Sequence, residues 1–425
     1  MRLAVFTSKY PARVATFFER DMRGLLDAGV ELDIFPMYPL DALLWRYSLD
    51  LLNELLLPRN RVHHLGLWES VRRARPWRRS GFGVALSDAA AVTASAARFG
   101  LVPLAKTVYV LPKAWAWAAA HADRYDHILA YWGNYSATCA YAFHRLIGRP
   151  IPFSIWLHAG VDLYRTPVYM RQKLAYADSV ITCCEFNRSY LAQHYADLSP
   201  PITERVHVCY HGLDLAHFPY QPEGRPPARV LAVGRLARHK GFDCLLRAAR
   251  LLGDRGVSVE IEFVGDGDER RTLERLAAEL QIAKHVTFRG WLKFDDVRRA
   301  MSAATVLVHP SDGLGDGLPN VLREAMALGT PVIASNVAGI PEALDDGRCG
   351  LLVPAKDVGG FADAIARVLG DPALRQTLAL RGRQRTEQMF DMWRNGARLA
   401  DHLRATRRLA GAERVSAAST ASTPA

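Results

Sequence analysis

Short apolar runs rich in β-branched residues alternate with amphipathic helical segments twice along this chain, before and after a proline-rich stretch at 220–229. Few folds absorb that rhythm. A strand apolar along its whole length must be covered on both faces, and a helix after each strand supplies the cover. The first series opens with a strand at 3–6, a helix at 16–28 stopped by Gly29 and a strand at 30–35. It resumes with strands at 127–131, 153–157, 179–183 and 206–210. The second series has strands at 230–233, 259–264, 286–288, 305–308, 332–334 and 351–353. The expected class is α/β, with two Rossmann-like halves whose ligands sit beyond the carboxyl ends of the strands.

A length of 425 residues, half of them hydrophobic, allows two domains or three, each with its own core. The net charge of +11 suits an anionic partner: nucleic acid, anionic lipid or a phosphorylated small molecule. Zinc-ligand spacing, aromatic ribonucleoprotein motifs and a recognition helix are all missing, so nucleic acid is not expected. The six cysteines are scattered without a Cys-x-x-Cys, as in a reduced, cytoplasmic setting with buried thiols. The apolar run at 3–6 is too short for a signal-peptide core. Residues 101–120 are interrupted by Pro103, Lys106, Pro112 and Lys113 and do not read as a membrane span.

The most informative stretch runs from His309 to Thr330. The strand at 305–308 meets Pro310-Ser311-Asp312-Gly313-Leu314-Gly315-Asp316-Gly317, which cannot continue it, and Pro319 suits the first position of a helix. At the helical period Val321, Leu322, Ala325 and Leu328 share one arc, while Asn320, Arg323 and Glu324 share another that faces away from the core. A helix start attracts phosphate, whereas Asp316 and Glu324 accept from hydroxyls and repel phosphate. A nucleotide-sugar carries both groups. The other reading makes Asp316 a helix cap and Glu324 a solvated residue.

Further candidates stand where strands end. Gly234-Arg235 follows one strand and Lys240-Gly241 opens the next helix, so Arg235 and Lys240 could form a diphosphate cradle with the Pro319 helix start; two surface bases on a basic chain is the alternative. His158 and His211 each follow a strand, although a lone histidine is usually structural. The first loop, Ser8 to Arg13, lacks G-x-G-x-x-G, which disfavours a nicotinamide or flavin enzyme. Asp266-Gly267-Asp268 superficially matches a metal-binding Asp-x-Asp, but its place after a Val-Gly strand end suits a nucleotide-side loop. The cluster Arg72-Arg73-Ala74-Arg75-Pro76-Trp77-Arg78-Arg79, with Trp115 and Trp117 beside Lys113, suits an anionic membrane surface; a solvated helix face beside core aromatics is the alternative.

The second half, read in order, closely resembles the retaining GT-B glycosyltransferases of family 4. The residues that carry the likeness are Val233-Gly234-Arg235-Leu236 with Lys240-Gly241, Val264-Gly265-Asp266-Gly267, Pro310-Ser311, Asp316-Gly317-Leu318-Pro319-Asn320-Val321-Leu322-x-Glu324-Ala325-Met326-Ala327, Gly339-Ile340-Pro341-Glu342 and Gly350-Leu351-Leu352-Val353-Pro354. Phe153-Ser154, His158-Ala159, Asp162, Asn187 and His211-Gly212-x-Asp214 are similar to the colanic-acid and exopolysaccharide branch. The resemblance implies a GT-B fold: an acceptor-binding domain at 1–220, a linker at 221–229 and a nucleotide-sugar domain at 230–390. A helix at 391–408 would cross back to the first domain, and a tail at 409–425 would be disordered.

The resemblance also implies roles. Glu324 would bind ribose hydroxyls, Asp316 with Gly317, Leu318, Pro319 and Asn320 the donor sugar, and Arg235 with Lys240 the diphosphate. His158 would stand near the reacting centre. The aspartate at 316, where the family commonly has glutamate, leaves the donor sugar open. No cofactor and no metal are implied, the nucleotide-sugar being a substrate. The implied reaction is configuration-retaining hexosyl transfer to a lipid-linked saccharide of a cell-surface polysaccharide, at the cytoplasmic membrane face. A soluble acceptor, or a catalytically silent nucleotide-sugar-binding protein, are the alternatives.

Overall fold

The structure is a computed structural model that describes residues 1–11, 16–38, 57–78 and 81–421. Two compact units divide the chain: Met1–His211 with Trp393–Ala425, and Gly212–Met392.

The first unit holds a parallel six-stranded sheet in the order β2-β1-β3-β4-β5-β6, from β1 (Arg2–Thr7), β2 (Glu31–Pro36), β3 (His127–Tyr131), β4 (Phe153–Leu157), β5 (Ser179–Thr182) and β6 (Val206–Val208). The strands β3, β4 and β5 are buried at every position, as apolar runs covered on both faces must be. β1 pairs with β2 on one side and β3 on the other, so the strand order reverses there and the exits of β1 and β3 diverge. Between β2 and β3 lie helices Leu67–Arg73, Phe82–Ala97 and Leu101–His121, where the sequence shows little rhythm. Trp117, grouped above with the basic cluster, is instead core, edge-on to Phe35 at 5.3 Å. Among the described residues, the exposed tryptophans of this region are Trp68 and Trp77, and Arg79 lies outside the described residues.

The second unit repeats the plan in the order β12-β11-β10-β7-β8-β9, from β7 (Arg229–Val233), β8 (Glu260–Val264), β9 (Val286–Phe288), β10 (Val306–His309), β11 (Val332–Ser335) and β12 (Leu351–Val353). Its reversal falls between β7 and β10, which pair through Val306–Val230 and Leu307–Leu231.

The expected domain limits shift. Residues 212–220 belong to the second unit, where Leu213 and Met392 exchange backbone hydrogen bonds with Phe390 and Leu213. The stretch at 221–229 is not slack: the Arg225 guanidinium donates to the carbonyls of Met301, Ala304 and Leu328 and to Thr330 Oγ1, all at 2.8–2.9 Å. One guanidinium satisfying four acceptors fastens this segment to the body of the unit.

The last helix, Met392–Ala421, packs on the first unit. Leu399, Ala400 and Leu403 join Leu3, Val5 and Met22 in one core. Burying each leucine contributes about 2 kcal/mol. A Cβ on Gly396 would stand 2.4 Å from the Gly24 Cα, so this helix crossing requires glycine. The tail expected to be disordered from 409 continues as helix to Ala421, in keeping with its alanine content, and 422–425 lie outside the described residues. Among the described residues, no helix is long and apolar enough to cross a membrane.

Candidate functional site

In the second unit the polar groups gather where the strand order reverses; in the first they stand at the exits of β3, β4 and β6.

In the second unit, Asp316 closes a short 3-10 turn, Leu314–Asp316, in the loop after β10. Its side chain is only 7% exposed. Lys240 Nζ donates to Oδ1 at 2.5 Å, His309 Nε2 lies 2.8 Å from Oδ2, and His239 Nε2 is 3.9 Å from Oδ1. Burial by itself would raise the Asp316 carboxyl, but the hydrogen bonds and charge of His309 and Lys240 hold it well below the usual carboxylate range. Burial pushes His309 the other way, toward the neutral ring, against the pull of Asp316. A neutral ring donating through Nε2 leaves Nδ1 bare, and that buried atom has no hydrogen-bond partner among the described residues. The sequence reading gave no role to His239, nor to His309 although it opens the stretch quoted there. An apolar strand ending in histidine just before a proline loop is the signal that points to His309.

Lys240 reaches Asp316 because the chain turns sharply behind it. Gly241 sits at φ +64, and a Cβ there would lie 2.0 Å from the Pro310 carbonyl oxygen. The ammonium and the β10 exit loop are thus brought together by a contact only glycine permits. Asn320 opens the helix Asn320–Ala327 one residue after Pro319, and no side chain caps its start, so its first N–H groups are left for a ligand. Gly317 has φ +55 and accepts from Gly339 N at 3.0 Å; Leu318 is buried.

Arg323 and Glu324 are buried, not solvated. Helix Pro372–Met389 packs on this helix, and the Arg323 guanidinium lies over the Phe390 ring, 5.3 Å from its centre, while donating to Asn320 Oδ1. The arc expected to face water is therefore covered. Arg235 does not join the Lys240–Asp316 group: its guanidinium pairs with Asp268 at 2.8 Å in an exposed bridge. Asp266 is held by Arg270 at 3.3 Å, so both acids of the Asp-x-Asp-like motif carry arginine partners.

In the first unit, His158 follows β4. Asp162 accepts from His158 N at 3.1 Å, Ala159 N at 3.0 Å and Gly133 N at 3.2 Å, which ties the exits of β3 and β4 together. The His158 carbonyl accepts from Asn187 Nδ2 and from Cys183 Sγ. The imidazole is 7% exposed, and among the described residues neither ring nitrogen has a hydrogen-bond partner; Asp162 Oδ2 stands 3.7 Å from Nδ1. Rings surround it: Trp132 at 4.2 Å, Tyr131 at 4.6 Å and His211 stacked parallel at 5.0 Å. Trp132 holds its place at φ +121, a backbone region costing a non-glycine residue about 1–3 kcal/mol.

His211 Nδ1 is 2.6 Å from Asp21 Oδ2, which also accepts from Tyr131 OH at 2.5 Å. Asp21 was not anticipated, although it lies on the apolar arc of Phe18, Met22 and Leu25, where a carboxylate needs a reason. Lys173, fully buried, donates to the carbonyls of Gly133 at 2.7 Å and Asn134 at 3.1 Å and to Thr138 Oγ1 at 3.3 Å. Burial pushes its pKa down to about 7, against the charge of Asp162. Among the described residues, no three His, Cys, Asp or Glu are grouped to hold a metal.

Two parallel six-stranded sheets, each reversing its strand order once, make the α/β architecture of the GT-B fold. Residues 227–371 match the family described as glycosyl transferases group 1. The lipopolysaccharide core biosynthesis glycosyltransferase LpsE of Rhizobium meliloti is 39% identical over 36% of this chain and 43% of its own. The putative colanic acid biosynthesis glycosyltransferase WcaL of Salmonella typhimurium is 30% identical over 48% and 52%. The chain spans about half the length of the curated relatives it matches. Among solved structures, sucrose-phosphate synthase from Thermosynechococcus elongatus superposes with TM-score 0.72 at 23% identity, over 95% of this chain and 98% of its own. Anabaena Alr3699/HepE in complex with UDP and glucose superposes with TM-score 0.67 at 18% identity, again over 95% and 98%.

Proposed function

We propose that the protein is a configuration-retaining glycosyltransferase that moves a hexosyl group from a nucleotide-diphosphate sugar to a hydroxyl of a lipid-linked saccharide in cell-surface polysaccharide assembly. One observation carries the reading: at the strand reversal of the second unit, an ammonium from the loop after β7 meets a buried carboxylate in the loop after β10, just before an uncapped helix start. Sugar hydroxyls seek the carboxylate, a diphosphate seeks the other two. The named relatives support the pathway, acting in lipopolysaccharide core and colanic acid biosynthesis, and a solved neighbour carrying UDP and glucose supports the donor class.

In this mechanism the bond from the anomeric carbon to the diphosphate breaks as the acceptor oxygen bonds to the same face. The acceptor proton passes to the departing phosphate oxygen. Lys240, Arg235 and the N–H groups at Asn320 stabilise the charge gathering on the leaving group, the kind of electrostatic contribution that usually dominates such catalysis. Asp316 and the 317–320 backbone hold the sugar, and Glu324 holds the ribose. His158 offers two ring nitrogens to sugar hydroxyls. No metal and no cofactor take part, and the protein works at the cytoplasmic face of the membrane.

The test combines a thermal-shift screen against UDP, GDP and ADP with transfer from the matching radiolabelled donor. One nucleotide raises the melting temperature, and Glu324→Ala abolishes both that shift and transfer. Equal response of wild type and Glu324→Ala to every nucleotide would sink the proposal.

A further inference from the structure

Four arginines of the first unit, Arg72, Arg73, Arg75 and Arg78, line one hollow of about 770 Å³. Its floor is apolar, formed by Ala116, Ala119 and Ala120 of helix Leu101–His121 and by Leu146. Among the described residues, no acidic residue lines it. Arg73 pairs with Glu69 at 2.6 Å, while Arg72, Arg75 and Arg78 make no ion pair among the described residues. Ala74 and Pro76 are buried, so the segment is pinned down between its arginines and does not swing freely.

Three unpaired guanidiniums held round one hollow repel each other unless an anion sits among them, and planar forked donors match phosphate oxygens. A soluble phosphate would account for the arginines but not for what stands beside them. Trp68 is 85% exposed and Trp77 63%, with Leu67 and Val71 also exposed on the helix that carries Arg72 and Arg73. Large indoles in water next to arginines match the interface of a bilayer, where the ring enters the headgroup layer and the cations meet phosphate.

We infer that this hollow seats the phosphate headgroup of an anionic phospholipid, with Trp68 and Trp77 entering the bilayer surface beside it. The occupant is membrane lipid: its phosphate meets the arginines, its glycerol and upper acyl carbons meet the alanine floor. The inference does not depend on sugar transfer, because vesicle binding is measured without any donor.

The experiment is co-sedimentation of the full chain with vesicles of phosphatidylcholine alone, or with one lipid in three replaced by phosphatidylglycerol, at one fixed ionic strength. Binding is expected to the anionic vesicles only. The triple variant Arg72→Ser, Arg75→Ser, Arg78→Ser should lower that partition on the order of 100-fold. Trp68→Ser with Trp77→Ser should lower it roughly 10-fold at unchanged charge. Ala119→Trp, which fills the hollow without touching charge, should also weaken it, and this separates a seated headgroup from a diffuse basic field. Melting temperatures within a few degrees of wild type, on the order of 1 kcal/mol, show that each variant is folded. Equal binding to both vesicle types, a triple variant that sediments like wild type, or unchanged binding by Ala119→Trp overturns the inference. So does inorganic pyrophosphate that protects the hollow equally in wild type and the tryptophan variant, since that marks a soluble-anion site.

Discussion

Each unit carries one lysine that fastens the loop leaving a strand at its reversal, and the two do so on opposite terms. Lys173 is sealed in the first unit and spends its three N–H groups on two carbonyls and a hydroxyl around 133–138. Lys240 is partly exposed in the second unit and rests on a single carboxylate, Asp316. A lysine bonded to carbonyls has no better partner to leave for, so it fixes a loop. A lysine paired with a carboxylate, with one side open to water, can turn to a phosphate while Asp316 turns to a sugar hydroxyl and keeps His309. The first arrangement builds a scaffold, the second a site that a ligand can rearrange.

The sharpest break in that contrast is Lys240→Ala. Transfer should fall about 10²- to 10³-fold in kcat, the loss typical of removing one preorganised charge or donor from a transition state. Melting temperature should change little, because Asp316 keeps His309. Lys173→Met reverses the pattern. Three buried acceptors lose their donor at a combined cost of roughly 3 kcal/mol, read by urea denaturation. The surviving folded fraction should keep its nucleotide affinity, measured by titration, since Lys173 lies in the other unit. A Lys173→Met protein of native stability would erase the distinction.

His158→Phe keeps the ring among Trp132, Tyr131 and His211 but removes both nitrogens. Transfer should drop roughly 100-fold, the scale of losing two hydrogen bonds to the sugar, with stability changed by less than about 1 kcal/mol. A large loss of stability at full activity would make His158 a packing residue. Acid tests the carboxylate in turn. The folded-state pKa of Asp316 is depressed, so the ionised group stabilises the fold above its unfolded pKa near 4, and the contribution fades as pH falls below that value. Denaturation between roughly pH 5 and pH 2 should be less steep for Asp316→Asn than for wild type.

How much of this was legible in sequence depends on the range of the force involved. Strands such as Phe153–Leu157 and His127–Tyr131 were readable residue for residue, because two-sided burial writes itself as an uninterrupted apolar run. The helix start after Pro319 was readable to within one residue. What failed was whatever a distant element decides. Arg323 and Glu324 look solvated at the helical period, yet the helix Pro372–Met389 covers that arc. Asp21, Lys173 and His309 are polar residues whose partners, Tyr131, Gly133 and Asp316, come from other elements. Of the described helices between β2 and β3, only an alanine-rich helical stretch after the basic cluster was legible, because its pattern has little alternation to mark where Phe82–Ala97 and Leu101–His121 divide.

The smallest effect probes the residue that stands apart from both lysines. Arg235 was expected in a cradle with Lys240 but bridges Asp268, at 61% and 84% side-chain exposure. An exposed pair of this kind contributes about 0.2–1 kcal/mol. If Arg235 must leave Asp268 to meet the diphosphate, that energy opposes donor binding. Asp268→Asn removes the competitor while leaving the cation, so the donor KM should fall by roughly 1.4- to 5-fold at unchanged kcat and unchanged stability. Arg235→Ala should move KM in the opposite direction. Were Asp268→Asn to raise KM instead, Asp268 would be aiming the guanidinium at the donor, and the bridge would belong to the site, much as Asp316 does for Lys240.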